Sequence, residues 1–268
     1  VSTQVAFATE TVVDELAAKL DMDPLEFRLK NAVKEGSRRV DGNVYARVGC
    51  IEALESIRDS QHYKAPLGKN QGRGIAVGYW FNVGLKSAVT ASVNRDGSVN
   101  LVEGSTDIGG TRTSISMQFA EVLGLDVGEI NPQVADTSSI GYTDVTGGSR
   151  TTYATGWAAY NAAHDVKDKM LERAAALWEI GKDQVDFRDG LFCHKTDATK
   201  KLNFKELAGQ LESTGGPIVG SGTVDAGFLT AGGSFAANIV DVEVDPETGK
   251  TSIVRFTAIQ DAGTAIHP

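Results

Sequence analysis

The first twenty residues show an apolar pattern with the periodicity of a helix. Val5, Ala8, Val12, Leu16 and Leu20 recur at spacings of three and four. Residues at these spacings share one side of a helix with 3.6 residues per turn. The pattern therefore predicts a helix at the start of the chain, with a single apolar stripe along its length.

Two further helices are predicted before residue 64. Asp23 is followed by Pro24 and, three residues after the cap, by Glu26; this is the order of an N-cap, a first helical position and a capping-box partner. Another helix is predicted over residues 51–60. The stretch of residues 64–73 is polar and contains glycine, which is typical of a linker.

The apolar period changes at Gly74, after which the helical spacing gives way to short runs rich in Val, Ile and aromatic residues. Such runs are typical of strands, and strands are predicted over residues 75–81, 87–93 and 99–102. The sequence from Arg95 to Ser98 contains Asp96 and Gly97, which are typical of a hairpin turn between two such strands.

Two loops rich in Gly, Ser and Thr each lead into a predicted helix. The first covers residues 104–113 and precedes a helix that has Ile115, Phe119 and Val122 on one face. A short strand is predicted over residues 131–135. The second loop covers residues 137–150 and precedes the longest predicted helix. The apolar positions of that helix are Tyr153, Trp157, Tyr160, Ala163, Val166, Met170, Ala174 and Leu177.

The remaining sequence is mostly of β type. Strand pairs are predicted over residues 185–187 and 191–193, and over 234–244 and 251–259, with a short helix at 204–211 and turn residues between the partners. The predicted class is α+β, with mixed sheets and packed helices. Two regions are expected: a helical segment at residues 1–72 and an α+β region at 73–268.

Charge and composition exclude several classes of function. The 268 residues include 26 Lys and Arg against 35 Asp and Glu, a formal charge of −9. This charge disfavours nucleic acid or an anionic membrane as a partner, and no apolar run is long enough to span a membrane. Cys50 and Cys193 are isolated and the four histidines are scattered, so no iron–sulfur, zinc or other metal site is predicted. Isolated cysteines favour a reducing, cytoplasmic location.

The two loops are the candidate binding elements. Glycines permit close backbone approach, and a helix N-terminus presents free N–H groups to an anion. Neither loop has the P-loop or dinucleotide-binding pattern. On local grounds Ser149 is either a helix cap or a ligand, and Arg112 and Arg150 are either solvated or ligating. Alone, the loops indicate only that an anionic ligand is plausible.

Other polar and aromatic groups have simpler interpretations. The carboxylates near the loops are expected to stabilise turns; they are Asp107, Glu121, Asp136 and Asp144. The aromatic residues of the long helix, Trp157 among them, are expected to be core, and His164 is expected to be a packing residue. Tyr79, Trp80 and Phe81 form an aromatic cluster that either belongs to a core or covers another domain.

The order of short motifs along the chain resembles the cofactor-binding large subunit of the molybdenum hydroxylases. That family includes xanthine dehydrogenase, aldehyde oxidase, carbon monoxide dehydrogenase and hydroxybenzoyl-CoA reductase. The motifs that resemble the family lie at residues 4–10, 14–17, 23–31, 96–99, 104–111, 148–152 with Gly156, and 261–263 with His267 and Pro268.

The resemblance implies a cofactor site. Its residues would be Gly109, Gly110 and Thr111 in the first loop, and Gly148, Ser149, Arg150, Thr151 and Thr152 in the second. They would hold molybdopterin, or its dinucleotide form, through backbone N–H and hydroxyl groups. Tyr79 and Trp80 would lie at the edge of the substrate pocket.

The sequence also departs from the family pattern. Residues 1–3 differ from the turn that precedes Gln4 in the family, His267 replaces an asparagine, and Ile108–Thr111 lacks a glutamine that is common in the first loop. The family's catalytic glutamate lies beyond residue 268, and another pterin loop lies upstream. No catalytic residue is therefore expected in this chain.

The resemblance implies a fragment of a hydroxylase subunit. Its partners would be the rest of that subunit, iron–sulfur and flavin subunits or domains, and a small-molecule substrate. Alone, the chain is expected to be inactive and to hold no tightly bound cofactor. The alternatives are a scaffold fragment without cofactor, or a non-catalytic subunit that completes a site only with another chain; a phosphate- or nucleotide-binding module outside the family is a third interpretation.

Overall fold

The computed structural model describes residues 2–134, 138–228 and 232–267. Its helices are α1 (Ser2–Lys19), α2 (Pro24–Asn31), α3 (Cys50–Asp59), α4 (Gln61–Lys64), α5 (Thr111–Leu123), α6 (Gly156–Trp178), α7 (Phe204–Ala208) and α8 (Leu211–Thr214). Its strands are β1 (Gln71–Phe81), β2 (Gly84–Val93), β3 (Val99–Glu103), β4 (Ile130–Val134), β5 (Val185–Arg188), β6 (Leu191–His194), β7 (Lys201–Asn203), β8 (Ile218–Phe228), β9 (Gly233–Val244) and β10 (Thr251–Asp261). This mixture confirms the α+β class.

The chain divides into two compact units. Unit 1 comprises residues 1–82 and 232–265, and unit 2 comprises residues 83–231 and 266–268. The division differs from the expected boundary after residue 72, because β1 pairs with β9 from much later in the chain. The N-terminal helices therefore share one unit with the C-terminal strands.

Unit 1 is built on an antiparallel sheet with strand order β1-β9-β10. Helix α3 buries Leu54 and Ile57 in the same cluster as Ile75 and Ile239 of the sheet. Arg28 of α2 ties the helices together. It donates to Glu10 at 2.8 Å and to Asp14 at 2.7 Å on α1.

Helix α1 forms where the apolar periodicity predicts it, but its stripe is not covered. Val5, Val12, Leu16 and Leu20 are all exposed, and Ala17 is the buried residue of the helix. A charged contact holds α1 in place instead, since Glu10 accepts a hydrogen bond from the Val77 amide of β1 at 2.7 Å.

Unit 2 contains a mixed sheet with strand order β4-β3-β2-β8. β3 and β4 are parallel, and α5 supplies the crossover that parallel neighbours require. Ile115 and Phe119 of α5 are buried in the main core together with Leu101 of β3, as their helical spacing predicts. Three short strands form a second sheet with order β5-β6-β7.

The predicted apolar face of α6 is buried along most of the helix but not at its start: Ala163, Val166, Met170 and Ala174 are buried as predicted. Trp157 is 43% exposed, and Tyr153 and Tyr160 are exposed to a similar degree, so the prediction that these aromatic residues are core is wrong. The buried face consists mainly of small residues: Gly156, Ala158, Ala159, Ala162, Ala163, Val166, Met170, Ala174 and Ala175.

Close approach of α6 to β8 explains this choice of face. A Cβ atom at Gly222 would lie 2.1 Å from the Ala158 carbonyl oxygen, and one at Gly220 would lie 2.4 Å from Val166. The backbones meet where glycine faces alanine, so there is no room for an aromatic ring. His164 is half-buried with its ring 4.4 Å from that of Tyr160, and burial lowers the pKa of the imidazole.

Most predicted elements occur, with shifts at their ends. Asp23 caps α2 by accepting from the Leu25 and Glu26 amides, although no reciprocal bond from the Glu26 side chain is found in the described part of the chain. β1 extends into the predicted linker, and β7 and β8 were not predicted. Ala135, Asp136 and Thr137, which belong to predicted elements, lie outside the described residues, as do Val1 and Pro268.

None of the helices described here combines the length and the apolar character needed to cross a membrane.

Candidate functional site

The two glycine-rich loops lie side by side in unit 2. The Thr106 amide of the first loop donates to the Thr146 hydroxyl of the second at 3.0 Å. Gln118 of α5 also donates to the Thr152 carbonyl oxygen at 3.3 Å. The starts of α5 and α6 pack closely, because a Cβ atom at Gly156 would overlap the Gln118 side chain. The fold thus brings the two predicted loops into one site.

Asp107 organises the first loop. One carboxylate oxygen accepts from the Gly109 amide at 3.1 Å, the Thr111 amide at 3.2 Å and the Thr111 hydroxyl at 2.9 Å. The other oxygen accepts from Arg112 Nε at 2.9 Å. These bonds, that with Arg112 first, lower the pKa of Asp107 to about 2. The predicted turn-stabilising role of this carboxylate agrees with this geometry.

The start of α5 keeps free donors beside open space. Gly109 and Gly110 are exposed with φ of +97° and +82°, and a Cβ atom at either would meet nothing within 4 Å. The Thr111 amide and hydroxyl are already engaged by Asp107. Among the described residues, no acceptor is found for the amides of Gly110, Arg112 and Thr113. An anion placed here would meet several N–H groups and the positive end of a helix.

Arg150, in the second loop, is an internal structural residue. Its side chain is fully buried. The five N–H donors of a guanidinium are matched by five acceptors: the carbonyl oxygens of Gly84, Lys86, Asp144 and Val145, and the hydroxyl of Ser87. The interpretation of Arg150 as a solvated arginine is therefore wrong. Its side chain also has no donor left to bind a ligand directly.

Ser149 is not the helix cap that local pattern suggested. It has a left-handed backbone with φ of +57° and an exposed side chain. The position before the helix is Arg150, and no side chain caps the π-helical turn Thr151–Thr155 that leads into α6. Thr151 is buried and Thr152 is half-buried. Gly148, with φ of +67°, packs tightly against Val83, where a Cβ atom would lie at 2.6 Å. Single turns of π-helix are frequent at functional sites.

A buried chain of hydroxyl groups fastens the loops from behind. Arg150 donates to the Ser87 hydroxyl, which lies 2.8 Å from that of Thr155. The Thr155 hydroxyl lies 2.6 Å from that of Ser105, and the Ser105 amide donates to Glu103 at 2.7 Å. No local sequence pattern marked Ser87, Glu103 or Thr155, since isolated polar residues in strands and helical turns have no distinctive signature.

Tyr79 and Trp80 lie in unit 1 and have different surroundings. The Tyr79 ring packs at 4.8 Å from Phe235 and 5.9 Å from Tyr45, so it belongs to an aromatic cluster at the edge of the core of this unit. Trp80 is 39% exposed and stacks on Phe81 at 4.8 Å. Of the pair, Trp80 has the surface that a ligand could reach.

Comparison with known families shows to which family the chain belongs. A family model described as molybdopterin cofactor-binding domain matches residues 52–268, and a second model with the same description matches residues 1–32. The chain belongs to the molybdopterin cofactor-binding domain family. The resemblance noted in the sequence is thereby confirmed, and the two loops are part of a domain of this family.

Curated relatives of this domain are subunits of molybdenum enzymes. The chain is 27% identical to the xanthine dehydrogenase molybdenum-binding subunit of Escherichia coli O157:H7 over 99% of its own length and 38% of the relative. It is 27% identical to the aldehyde oxidoreductase molybdenum-binding subunit of Escherichia coli K12, covering 97% and 36%. The chain therefore spans less than two fifths of these relatives and corresponds to a fragment of the large subunit.

Solved structures share the fold of this cofactor-binding domain. Carbon monoxide dehydrogenase from Oligotropha carboxidovorans superimposes with a TM-score of 0.85 at 23% identity, over 100% of this chain and 37% of that chain. Quinoline 2-oxidoreductase from Pseudomonas putida 86 gives 0.79 at 22% identity, over 98% and 37%. The predicted architecture of a molybdenum hydroxylase cofactor-binding domain is confirmed.

Proposed function

We propose that this chain forms part of the cofactor site of a hydroxylase of the xanthine dehydrogenase and aldehyde oxidase type. The supporting observation is the pair of adjacent helix starts whose cap residues, Gly110 before α5 and Arg150 before the turn leading into α6, provide no side-chain cap. At α5, Asp107 engages only the Thr111 amide of the first turn. Unpartnered N–H groups at a helix start suit the phosphate of molybdopterin. Two such starts side by side favour the dinucleotide form, which has more than one phosphate.

The first loop holds the cofactor through its backbone. Gly109 and Gly110 leave room for close approach, and the amides of Gly110, Arg112 and Thr113 donate to the cofactor. Thr111 does not contact the cofactor. It keeps the loop in shape, because its own amide and hydroxyl donate to Asp107. Without a Cβ atom at either glycine, the ligand can reach the backbone directly.

The second loop contributes hydroxyl groups. Ser149 and Thr152 donate to the cofactor, since neither hydroxyl has a partner within the ranges the structure describes. Thr151 contributes its amide at the uncapped start of the helical turn. Gly148 and the buried Arg150 side chain hold the loop in shape without contacting the cofactor. Gly148 packs against Val83, and Arg150 donates to the backbone of β2.

The bound cofactor supplies the oxidation–reduction chemistry of molybdenum. This chain binds and orients the cofactor, while the general base comes from the remaining part of the subunit. Its partners would be the rest of the subunit and the subunits or domains that hold iron–sulfur and flavin groups. Trp80 lies at the edge of the pocket for a small-molecule substrate, and Tyr79 supports it from the aromatic cluster.

The isolated chain is expected to be inactive and to hold the cofactor weakly. Each neutral hydrogen bond contributes only about 0.5–1.5 kcal/mol to binding. The hydrogen bonds from two loops therefore offset only part of the free-energy cost of ordering the cofactor and the loops in a complex. A non-catalytic subunit that completes a site with another chain is the second candidate function. Turnover by the isolated chain would contradict the proposal, and a separate protein that supplies the catalytic carboxylate would favour the second candidate.

Removal of two hydroxyls tests the site. Ser149→Ala and Thr152→Ala should each lower the molybdenum and pterin content of the complete subunit about tenfold, since a lost bond to a charged group costs about 1.5–3 kcal/mol. Thermal stability should not change. Ser252→Ala on the exposed face of β10 is the matched control. Parent-level cofactor content in both loop variants would show that these hydroxyls do not bind it.

A further inference from the structure

Glu103 is a buried carboxyl directly behind the first loop. It ends β3, is fully buried, and lies opposite Val89 of β2 and Val134 of β4. One oxygen accepts from the Ser105 amide at 2.7 Å. The other oxygen, Oε1, is buried without a hydrogen-bond partner in the described ranges. The buried hydroxyl of Ser116, on the helix that follows the same loop, is also unpartnered there.

The charges that act on Glu103 come from the two loops. Asp107 disfavours its ionised form, while Arg112 and Arg150 favour it. Arg112 is paired with Asp107, and the donors of Arg150 are used on the backbone and Ser87. Neither arginine forms a direct ion pair with the carboxyl. Burial therefore dominates and raises the pKa of Glu103 to about 7.

We propose that Glu103 is a positioning residue of the cofactor site, whose neutral form keeps the first loop closed and whose ionisation loosens the loop and its hold on the cofactor. This inference rests on the proposed function. The Ser105 amide joins Glu103 to the first loop, and the Ser105 hydroxyl joins the loop to Thr155 beside the second. A change at Glu103 thus acts on both loops.

The direction of the effect follows from solvation. A neutral acid can donate one hydrogen bond and is tolerated in an apolar site, whereas a carboxylate with an unpaired oxygen needs water or a cation. Water reaches Glu103 most easily if the adjacent loop moves, because Thr106, Ile108, Gly109 and Gly110 are exposed while the residues of β3 are largely covered. The amides offered to the cofactor are in that same loop.

Glu103→Gln tests the proposal, because glutamine keeps the acceptor for Ser105 and cannot ionise. In the complete cofactor-loaded protein, release of the cofactor should accelerate about tenfold as the pH rises from about 6 to about 8. This is the factor by which the ionised fraction of a single group with a pKa of about 7 increases over that range. Glu103→Gln should release it at a slow rate that does not change with pH. Glu121→Gln, on the exposed face of α5, is the matched control and should behave like the parent.

Two readouts on the chain itself need no cofactor. The infrared band of a protonated carboxyl should disappear across this pH range and be absent from Glu103→Gln. In the unsubstituted chain, amide exchange over residues 105–111 should accelerate beyond its intrinsic pH dependence. If Glu103→Gln does not fold, this second measurement still decides the question.

The outcomes separate the two proposals. Absence of the band, or equal pH dependence of cofactor release in Glu103→Gln and the parent, would overturn the role of Glu103 while leaving the cofactor site intact. If the complete protein binds no cofactor at any pH, the proposed function fails. The infrared and exchange data would then still report whether Glu103 controls the loop.

Discussion

The hydroxyl oxygens of Ser105 and Thr155 lie 2.6 Å apart, although 50 positions separate them in the chain. Ser105 belongs to the first loop, and Thr155 to the turn that follows the second. The distance is short enough for a strong hydrogen bond between neutral groups. The two parts of the candidate site are therefore joined to each other below their exposed surface, since Ser105 and Thr155 are both buried.

Thr155→Val should destabilise the chain. Valine has nearly the same shape, but it leaves the Ser87 and Ser105 hydroxyls without their shared partner. An unpaired buried hydroxyl costs about 1–3 kcal/mol. Urea unfolding measures the difference, and Thr155→Ser, which retains the hydroxyl, should lose much less. Equal midpoints for the two variants would indicate that the bond contributes nothing.

Arg150→Lys should be strongly destabilising despite its conserved charge. Lysine has three donors on a single atom and cannot match acceptors spread over two chain segments. Several buried carbonyl oxygens would lose their partners, at a cost of roughly 3 kcal/mol. Arg95→Lys is the control, since its side chain is 79% exposed, and it should be neutral. A neutral Arg150→Lys in denaturant titration would mean that the loop does not depend on this network.

Gly110→Ala should separate backbone strain from ligand contact. Gly110 and Gly36 have φ of +82° and +81°, and a Cβ atom at either meets nothing within 4 Å. Alanine should therefore cost both positions roughly 1 kcal/mol of stability. Only Gly110→Ala should also lower cofactor content, because its methyl group enters the space in front of the α5 amides. Equal cofactor content in the two variants would contradict the assignment of this loop.

The stability of the chain should fall as the pH rises through the range of Glu103. The pKa is raised from 4.5 to about 7, so the folded state retains a proton that the unfolded state has lost. The stabilisation is complete below about pH 4.5 and is lost by about pH 7, in total on the order of 1–3 kcal/mol. Chemical unfolding at a series of pH values measures it. Glu103→Gln should remove this component; an unchanged profile would place the titration elsewhere.

Gly222→Ala should disrupt the packing of α6 on β8. The added methyl group would lie 2.1 Å from the Ala158 carbonyl oxygen, and overpacking of this kind costs about 1–3 kcal/mol. Gly72→Ala in β1 adds the same group where nothing lies within 4 Å and should cost little. Thermal unfolding compares them. Trp157→Ala should cost less than the loss of a core aromatic residue, because Trp157 is 43% exposed.

Local sequence patterns predicted where helices and strands occur better than they predicted which side of each helix is buried. The spacing of Ile115 and Phe119 gave the correct buried side of α5, because both bulky residues pack in the main core together with Leu101 of β3. The same reasoning held for Val166 and Met170 of α6 but failed for the aromatic residues at its start, where Gly220 and Gly222 let the backbones approach and the larger rings turn outwards. The sequence contains both sets of residues, but only their pairing across the fold shows that alanine forms the contact.

The sequence predicted that each loop leads into a helix, and the fold agrees, since the loops precede α5 and the turn that leads into α6. It did not predict the contacts that hold the loops in place. The burial of Arg150 depends on carbonyl oxygens from β2 and the second loop, and no local pattern encodes such a convergence. Glu103 was missed for the same reason, since burial of a carboxylate at the end of a strand is a tertiary property.

The division of the chain into units has a consequence for the order of folding. Unit 2 is formed largely from one continuous stretch, residues 83–231, whereas unit 1 needs residues 232–265 to complete the sheet that begins with β1. Segments emerge from the ribosome from the N-terminus onwards, and closing a long loop between distant partners slows folding. We therefore expect unit 2 to fold first during synthesis. The apolar surfaces of the N-terminal helices should remain accessible to chaperones until β9 has been synthesised.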